Sequence, residues 1–377
     1  MLRRKKILVL GTGNAQVDFI EHCKKLGLEV HSCSYLPEGR GIDVSDYFSI
    51  INITDINNVT EYVERNGIDV IYSTGSDIAM PTIASVSEKL NLPVFISSKT
   101  ANTCNHKTLL RNTLKSIPDY SVTSMEVTEE SDLGKWAIFP AILKPNDSQG
   151  QRGITEIYSA DQLLDSFKFA ISHSRTKTAI IEEYIEGFEI SINIYVVNYQ
   201  IVLQFITERI SFNEYPGGII KSHLYPVTRK LNIEKITQMS NAVVKTFDIK
   251  NGPAYFQIKI DKNENPKIIE ITPRLDGCHI WRLISELKGI NLFDIIVNHL
   301  INNEVDISIF EQNKPDKAPR AELIFFTSSP GDKFSMKNFH AVKDAVYTEW
   351  YYRDGEIVRP INQYAEKVGY QIIFHKQ

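Results

Sequence analysis

Between Tyr255 and Arg274 the chain places oxygen and nitrogen donors on two short apolar segments: Tyr255-Phe-Gln257-Ile-Lys259-Ile-Asp261, a polar turn over Lys262–Pro266, and Lys267-Ile-Ile-Glu270-Ile-Thr272-Pro-Arg274. A symmetric turn sets Gln257 opposite Glu270 and Tyr255 opposite Thr272. Because side chains alternate between faces, Phe256, Ile258, Ile260, Ile269 and Ile271 form an apolar underside, while Gln257, Lys259, Glu270 and Thr272 share the other face. Two oxygen donors, Gln257 and Glu270, then converge beside Arg274. A hard cation such as Mg²⁺ takes few protein oxygens and completes its shell with water and phosphate. Taken alone, the same pattern fits an amphipathic hairpin with a plain polar outer face.

A second stretch, Phe139-Pro-Ala-Ile-Leu-Lys144-Pro-Asn-Asp-Ser148-Gln-Gly150-Gln-Arg-Gly153, carries a lysine from a strand directly into a polar, glycine-containing loop. Glycine permits close backbone approach, Ser148 supplies a hydroxyl and the Lys144 ammonium neutralises phosphate charge. A hairpin turn with a solvated lysine is the plainer account. In Ile180-Ile-Glu182-Glu183-Tyr184-Ile185-Glu186-Gly187-Phe188-Glu189 a strand runs into an acidic segment. Its backbone near Glu183 and Ile185 can hold an adenosine, with carboxylates reaching base or ribose; solvated acids at a strand end are the ordinary alternative.

Gly11-Thr-Gly13 stands between a strand and a helix, where backbone N–H groups can meet a phosphate. The dinucleotide-binding pattern needs a third glycine, but Gln16 holds that position, so a tight strand-to-helix turn is the expectation. Ser211–His223, with Tyr215-Pro-Gly-Gly218, reads as a loop over substrate or as a hairpin connection. Arg282 reads as a carboxylate anchor or, more simply, as a surface charge on a helix.

The elements that must position these residues follow from periodicity. Strand-like Lys6–Leu10, Glu29–Cys33, Asp69–Tyr72 and Leu92–Ile96 alternate with helical Ala15–Leu26, Val59–Asn66 and Ile78–Leu90, an order that predicts a doubly wound parallel sheet. The grammar then changes: helix Asn105–Lys115, strands Ala141–Lys144 and Thr178–Glu182, a β-rich stretch Glu189–Ile210, helix Ile233–Phe247, the Tyr255–Thr272 hairpin and helix Leu292–Ile301. A polar linker, Asn302–Lys317, precedes a strand-rich tail ending in Val368–Phe374.

With 377 residues, 42% apolar and 23% charged, the composition fits a globular protein of two or three domains. The formal charge of −4 and the lack of a long basic block leave neither nucleic acid nor an anionic membrane as an expected partner. The basic start is followed by an apolar run that stops at Gly11, too short for an export signal. No later apolar stretch approaches the roughly 20 residues that span a bilayer. A soluble, cytoplasmic chain is expected. Cys23, Cys33, Cys104 and Cys278 form no Cys-x-x-Cys pair and no zinc-like spacing, and are read as reduced thiols.

The order of these motifs resembles the ATP-grasp superfamily, particularly the carbamoyl phosphate synthetase-like and purine-biosynthetic carboxylate–amine ligases, over nearly the whole chain. The resemblance implies an α/β and α+β fold: a Rossmann-like pre-ATP-grasp domain over 1–104, a two-subdomain ATP-grasp domain over 105–302 divided near residue 180, and a small β-rich C-terminal domain over 303–377. It implies that Lys107, in Asn105-His-Lys-Thr-Leu-Leu-Arg111, is the first phosphate-binding lysine and Lys144 the second, with Ser148, Gly150 and Gly153 in the mobile phosphate loop. Glu182, Glu183, Tyr184 and Ile185 match the adenine-binding linker, and Glu189 the ribose position. Gln257 and Glu270 match metal-ligand positions. Arg274, acting with Lys144, matches the arginine that steadies the transferred phosphate. Where relatives often carry Asn, this chain has Thr272, whose hydroxyl has a shorter reach toward a second metal ion.

The implied activity is an ATP-dependent carboxylate–amine ligation through an acyl phosphate, releasing ADP and phosphate, with Mg²⁺, or Mn²⁺ in its place. The implied partners are a small carboxylate and an amine, and a second copy of the chain as a homodimer. Two other readings stand beside it: a non-catalytic ATP-binding or regulatory protein of the same fold, for which Thr272 is the best argument, and an NAD-dependent oxidoreductase resting on Gly11-Thr-Gly13 alone.

Overall fold

The computed structural model describes residues 3–147, 153–212, 218–312, 319–361 and 365–375. Strands β1 (Lys6–Leu10), β2 (Glu29–Ser34), β3 (Tyr47–Ile50) and β4 (Val70–Tyr72) form a sheet of order β3-β2-β1-β4, with every pairing parallel. Parallel strands joined by helices are covered on both faces, which explains the unbroken apolar run of β1. Leu8 and Leu10 pack with Val59 and Ile71, while Ile7 and Val9 join Phe19 and Phe293 in another core. The Ile56–Asn66 helix opens where the Asp55 carboxylate accepts the Asn58 N–H at 3.1 Å and closes on Gly67 at φ 60°, an ordinary pair of caps.

The strand expected over Leu92–Ile96 does not form. β4 ends the sheet on that side, and Pro93 lacks a ladder donor. Phe95 instead meets the rings of Tyr72, Tyr195 and His299 at centroid distances of 6.2, 6.5 and 5.0 Å.

A second sheet is antiparallel: β5 (Ser124–Val127), β6 (Ala141–Pro145), β7 (Thr155–Ile157) and β8 (Ala179–Glu183), in the order β5-β8-β6-β7. The Leu163–Ser172 helix covers one face, with Leu163, Phe167 and Ala170 against Leu143 and Ile181.

The third sheet has eight strands, β9 (Gly187–Val197), β10 (Gln200–Ser211), β11 (Ile220–Tyr225), β12 (Gly252–Asp261), β13 (Pro266–Thr272), β14 (Arg320–Ser328), β15 (Tyr347–Trp350) and β16 (Glu366–His375). Their order is β13-β12-β9-β10-β11-β14-β16-β15. The C-terminal strands thus continue the sheet that carries the donor-rich hairpin, through the pairing of β14 with β11.

In that hairpin Tyr255 faces Thr272, Phe256 faces Ile271 and Gln257 faces Glu270, as a symmetric turn requires. Beyond Gln257 a bulge shifts the register, so that Ile258 faces Ile268. Two residues against one reverse the alternation. Ile268, and not the expected Ile269, therefore completes the apolar underside with Phe256, Ile258, Ile260 and Ile271 over the Ile233–Thr246 helix. The turn is held by the Asp261 carboxylate, which accepts the N–H groups of Asn263 and Asn265, both at 2.8 Å.

Candidate active site

The antiparallel small sheet and the large sheet meet where β8 ends at Glu183 and β9 begins at Gly187. The linker between them is fixed on several sides. The Glu183 N–H donates to the Thr123 carbonyl at 3.0 Å, and the Tyr184 N–H to the Pro140 carbonyl at 3.0 Å. The Thr123 N–H donates to the Glu183 side-chain carboxylate at 2.8 Å. Lys259 Nζ lies 4.5 Å from the centre of the Tyr184 ring, a cation–π contact. At Gly187 an added Cβ would sit 1.9 Å from the Ile260 carbonyl oxygen, so only glycine lets the linker enter the large sheet so close to β12.

On the small-sheet side, Lys107 begins the Lys107–Leu114 helix and Lys144 is buried one residue before the end of β6. The buried Asn146 pins the two together: its Oδ1 accepts the Thr108 N–H at 3.0 Å, and its Nδ2 donates to Thr108 Oγ1 at 2.7 Å and Glu126 at 2.8 Å. Lys144 Nζ donates to Glu182 Oε2 at 2.9 Å. Arg111, one turn after Lys107, takes the same carboxylate in a fork, Nε to Oε1 at 2.8 Å and Nη2 to Oε2 at 3.1 Å. Burial alone would raise the Glu182 pKa, but the charges of Arg111 and Lys144 outweigh it and hold the group at about 2. Lys107 is half-buried; desolvation first, then the like charge of Lys144, bring it down to about 8 against the pull of Glu270, Glu182 and Asp147.

On the large-sheet side, Gln257 uses its amide nitrogen on Glu189 at 2.9 Å, which leaves its carbonyl oxygen as the end that can hold a cation. Glu189 is also paired with Arg209. Burial raises the Glu270 pKa, as does the nearby Asp77 charge, while Arg274, Lys107 and Lys144 pull it down. The Thr272 hydroxyl is buried and finds no hydrogen-bond partner among the described residues. Arg274 is buried, ion-paired with Asp77, and donates through Nη1 to the Leu275 carbonyl at 2.7 Å. Amide, carboxylate and hydroxyl oxygens beside three cationic side chains make a donor set suited to a hard divalent cation shared with phosphate.

Residues 137–281 match the family model of the ATP-grasp domain. Over that span the chain carries an ATP-grasp domain. It is similar to the carbamoyl phosphate synthase large chain of Pyrococcus furiosus, 22% identical over 81% of this chain, a match that spans only 30% of that larger protein. A formate-dependent phosphoribosylglycinamide formyltransferase of Prochlorococcus marinus is 23% identical over 77% of this chain and 75% of its own. In fold the chain is similar to the L-amino acid ligase of Bacillus licheniformis, with a TM-score of 0.80 and 17% identity over 100% of this chain and 95% of that one.

Ser148 and Gly150 lie outside the described residues. Gly153, at φ 75°, packs where a Cβ would stand 2.7 Å from Pro145 Cγ and 2.8 Å from His173 Cβ. The Gly11-Thr-Gly13 turn is occupied by its own chain: the buried Gln16 side chain lies against both glycines and bonds the Thr74 carbonyl. Arg282 is half-buried; it donates to Asp18 at 3.4 Å and lies 4.5 Å from the Tyr347 ring centre.

Three features of the structure escaped the sequence reading. Arg111 carried a readable signal, four residues after Lys107 and hence on the same helix face. Asp77, the partner of Arg274, opens a short 3-10 helix, Asp77–Ala79, after β4 and gave none. Asp18, His279 and Glu349 bring ligand atoms within 4.8 Å of one another. They are already claimed: Asp18 accepts from Trp281 at 3.3 Å and pairs with His279 at 3.3 Å, His279 Nε2 meets the Tyr351 hydroxyl at 2.7 Å, and Glu349 accepts from Arg40 at 2.7 Å. This knot joins the first sheet's helix, the segment after Arg274 and the C-terminal strands.

Proposed function

We propose that the chain is a Mg²⁺- and ATP-dependent carboxylate–amine ligase working through an acyl phosphate. The observation that carries this reading is electrostatic and geometric at once: Glu270, set opposite Gln257 on one sheet, is close enough to Arg274, Lys107 and Lys144 for its ionisation to feel all three. One anionic ligand bearing a cation satisfies that arrangement, and the L-amino acid ligase and the formate-dependent enzyme bear names consistent with a carboxylate substrate.

In the proposed reaction a substrate carboxylate oxygen attacks the γ-phosphorus of ATP, and the bond to the β,γ-bridging oxygen breaks, giving the acyl phosphate and ADP. The amine nitrogen then attacks the acyl carbon, loses a proton and expels phosphate. Lys107 and Lys144 neutralise phosphate oxygens, and the Arg274 fork meets charge that accumulates on the transferred group. Gln257 and Glu270, with Thr272 beside them, would hold Mg²⁺ or Mn²⁺, which would supply positive charge against the phosphate oxygens. Glu183, Tyr184 and Ile185 offer main-chain groups to adenine and Glu189 takes the ribose. The Glu182 side chain serves Lys144 and Arg111. Ser148, Gly150 and Gly153 form the phosphate loop.

The reading carries with it the division into 1–104, 105–302 and 303–377, a cytoplasmic setting, small-molecule substrates and a homodimer. No helix among the described residues is long and apolar enough to cross a membrane. Thr272, whose hydroxyl has a shorter reach toward a second metal ion than the Asn that relatives often carry, favours one rival, an ATP-binding regulatory protein without turnover. Screening ADP release with MgATP against paired acids and amines tests both. Pair-dependent ADP release supports the ligase, MgATP binding with no release across the panel supports the rival, and NADH binding without ATP binding overturns both.

A further inference from the structure

Lys107 stands on a helix, Lys144 on the small sheet and the cation-side hairpin on the large sheet, so a nucleotide carrying a cation must find them at one fixed separation. Arg111 touches both. Its Nε and Nη2 grip Glu182, the partner of Lys144, while Nη1 donates to the Ile268 carbonyl at 2.7 Å and Nη2 to the Ile269 carbonyl at 2.9 Å. In a regular strand consecutive carbonyls point to opposite sides. Here the bulge beyond Gln257 lets one guanidinium take two in succession, directly before Glu270. The side chain is 2% exposed and its helix begins with Lys107.

We infer that Arg111 is a positioning residue that locks the Lys107 helix, the Lys144–Glu182 pair and the Glu270 hairpin into a single frame. A buried ion pair is weak evidence for stability, because apolar replacements of similar volume are often neutral. What four directed hydrogen bonds from one rigid fork fix is geometry. The frame depends on where the bulge falls: moved by one residue, it would break the pair of successive carbonyls that Arg111 takes. The inference rests on the reading that Lys144 and Glu270 face the same nucleotide.

The test is Arg111→Lys, which keeps the charge beside Glu182 but loses the fork. The measurements are melting temperature and ATP affinity by calorimetry, with and without Mg²⁺. The frame predicts a folded variant with nearly unchanged Mg²⁺-free ATP affinity and an enhancement by Mg²⁺ reduced about tenfold or more, the size of a charge-assisted contact. Equal loss in both affinities, or none in either, overturns it. If Arg111→Lys does not fold, Arg111→Gln combined with Glu182→Gln removes the buried pair together, and the same two affinities decide. Wild-type protein showing no Mg²⁺ enhancement would sink the reading of the cleft itself, and the frame with it.

Discussion

Lys144 Nζ lies 2.9 Å from Glu182 Oε2, and the second oxygen of that carboxylate is held by Arg111 at 2.8 Å. Replacing Glu182 by Gln leaves two buried cations sharing a neutral amide, and loss of one partner of a buried pair costs roughly 3–5 kcal/mol. The folded pKa of Glu182, about 2, lies below its unfolded value near 4.3. Its contribution is therefore complete above the unfolded pKa and is lost as pH falls toward 2. Urea melts of wild type and Glu182→Gln should differ most at neutral pH and converge as the pH falls toward the folded value. A gap that stays constant with pH would mean the carboxylate is not ionised in the folded protein.

Lys107, at about 8, should change its charge on meeting a triphosphate. Burial and Lys144 press it toward the neutral form, and added phosphate charge pulls it back toward the ammonium. ATP binding near pH 8 should then take up a fraction of a proton, on the order of one half. Calorimetry in buffers of different ionisation enthalpy reads that uptake directly. Lys107→Gln should abolish it as well as weaken binding; uptake persisting in the variant would assign the proton elsewhere.

Much of this cleft was readable because strand alternation is strict: a symmetric turn was enough to set Gln257 against Glu270 and Tyr255 against Thr272. The bulge was not, since Ile268 and Ile269 are chemically alike and either can lie underneath. Arg111 shares a helix face with Lys107, but the carbonyls it meets lie far along the chain and leave no trace in the local pattern. Asp77 and Arg274, like Asp18, His279 and Glu349, are joined only by packing of distant segments, for which local periodicity carries no signal. Leu92–Ile96 shows the same limit in reverse: an apolar run with strand character was drawn away by aromatic neighbours that lie far along the chain.

The linker predicts a steric outcome at Gly187. An alanine there must displace the Ile260 carbonyl, whose oxygen would be 1.9 Å from the new Cβ. The expected cost is roughly 1–3 kcal/mol, as for overpacking elsewhere, with a larger loss of ADP affinity than of stability because the linker itself moves. Gly289→Ala is the control, since that glycine has φ 63° and no atom within 4 Å of the added Cβ. Similar ADP affinities for the two variants would show that the linker does not hold the nucleotide.

Arg274 and Asp77 allow charge and geometry to be separated. The guanidinium binds Asp77 and the Leu275 carbonyl at once, and a lysine cannot reproduce that fork while also reaching a phosphoryl group. Arg274→Lys should lower kcat on the order of a hundredfold with little change in ATP affinity, as for contacts that strengthen in the transition state. Asp77→Asn acts differently. Burial raises the Glu270 pKa, and the Asp77 charge raises it further; removing that charge makes Glu270 ionise at lower pH. Protons compete with Mg²⁺ for the carboxylate, so the acid limb of MgATP binding should move to lower pH in Asp77→Asn. Since Arg274→Lys keeps a cation near Glu270, its limb should stay close to that of the wild type. Titrations of MgATP affinity from about pH 5 to 8, where carboxylates with raised pKa values ionise, compare the three proteins directly. An unmoved limb in a well-folded Asp77→Asn protein would mean that Asp77 acts on Arg274 alone and leaves the proposed metal carboxylate untouched.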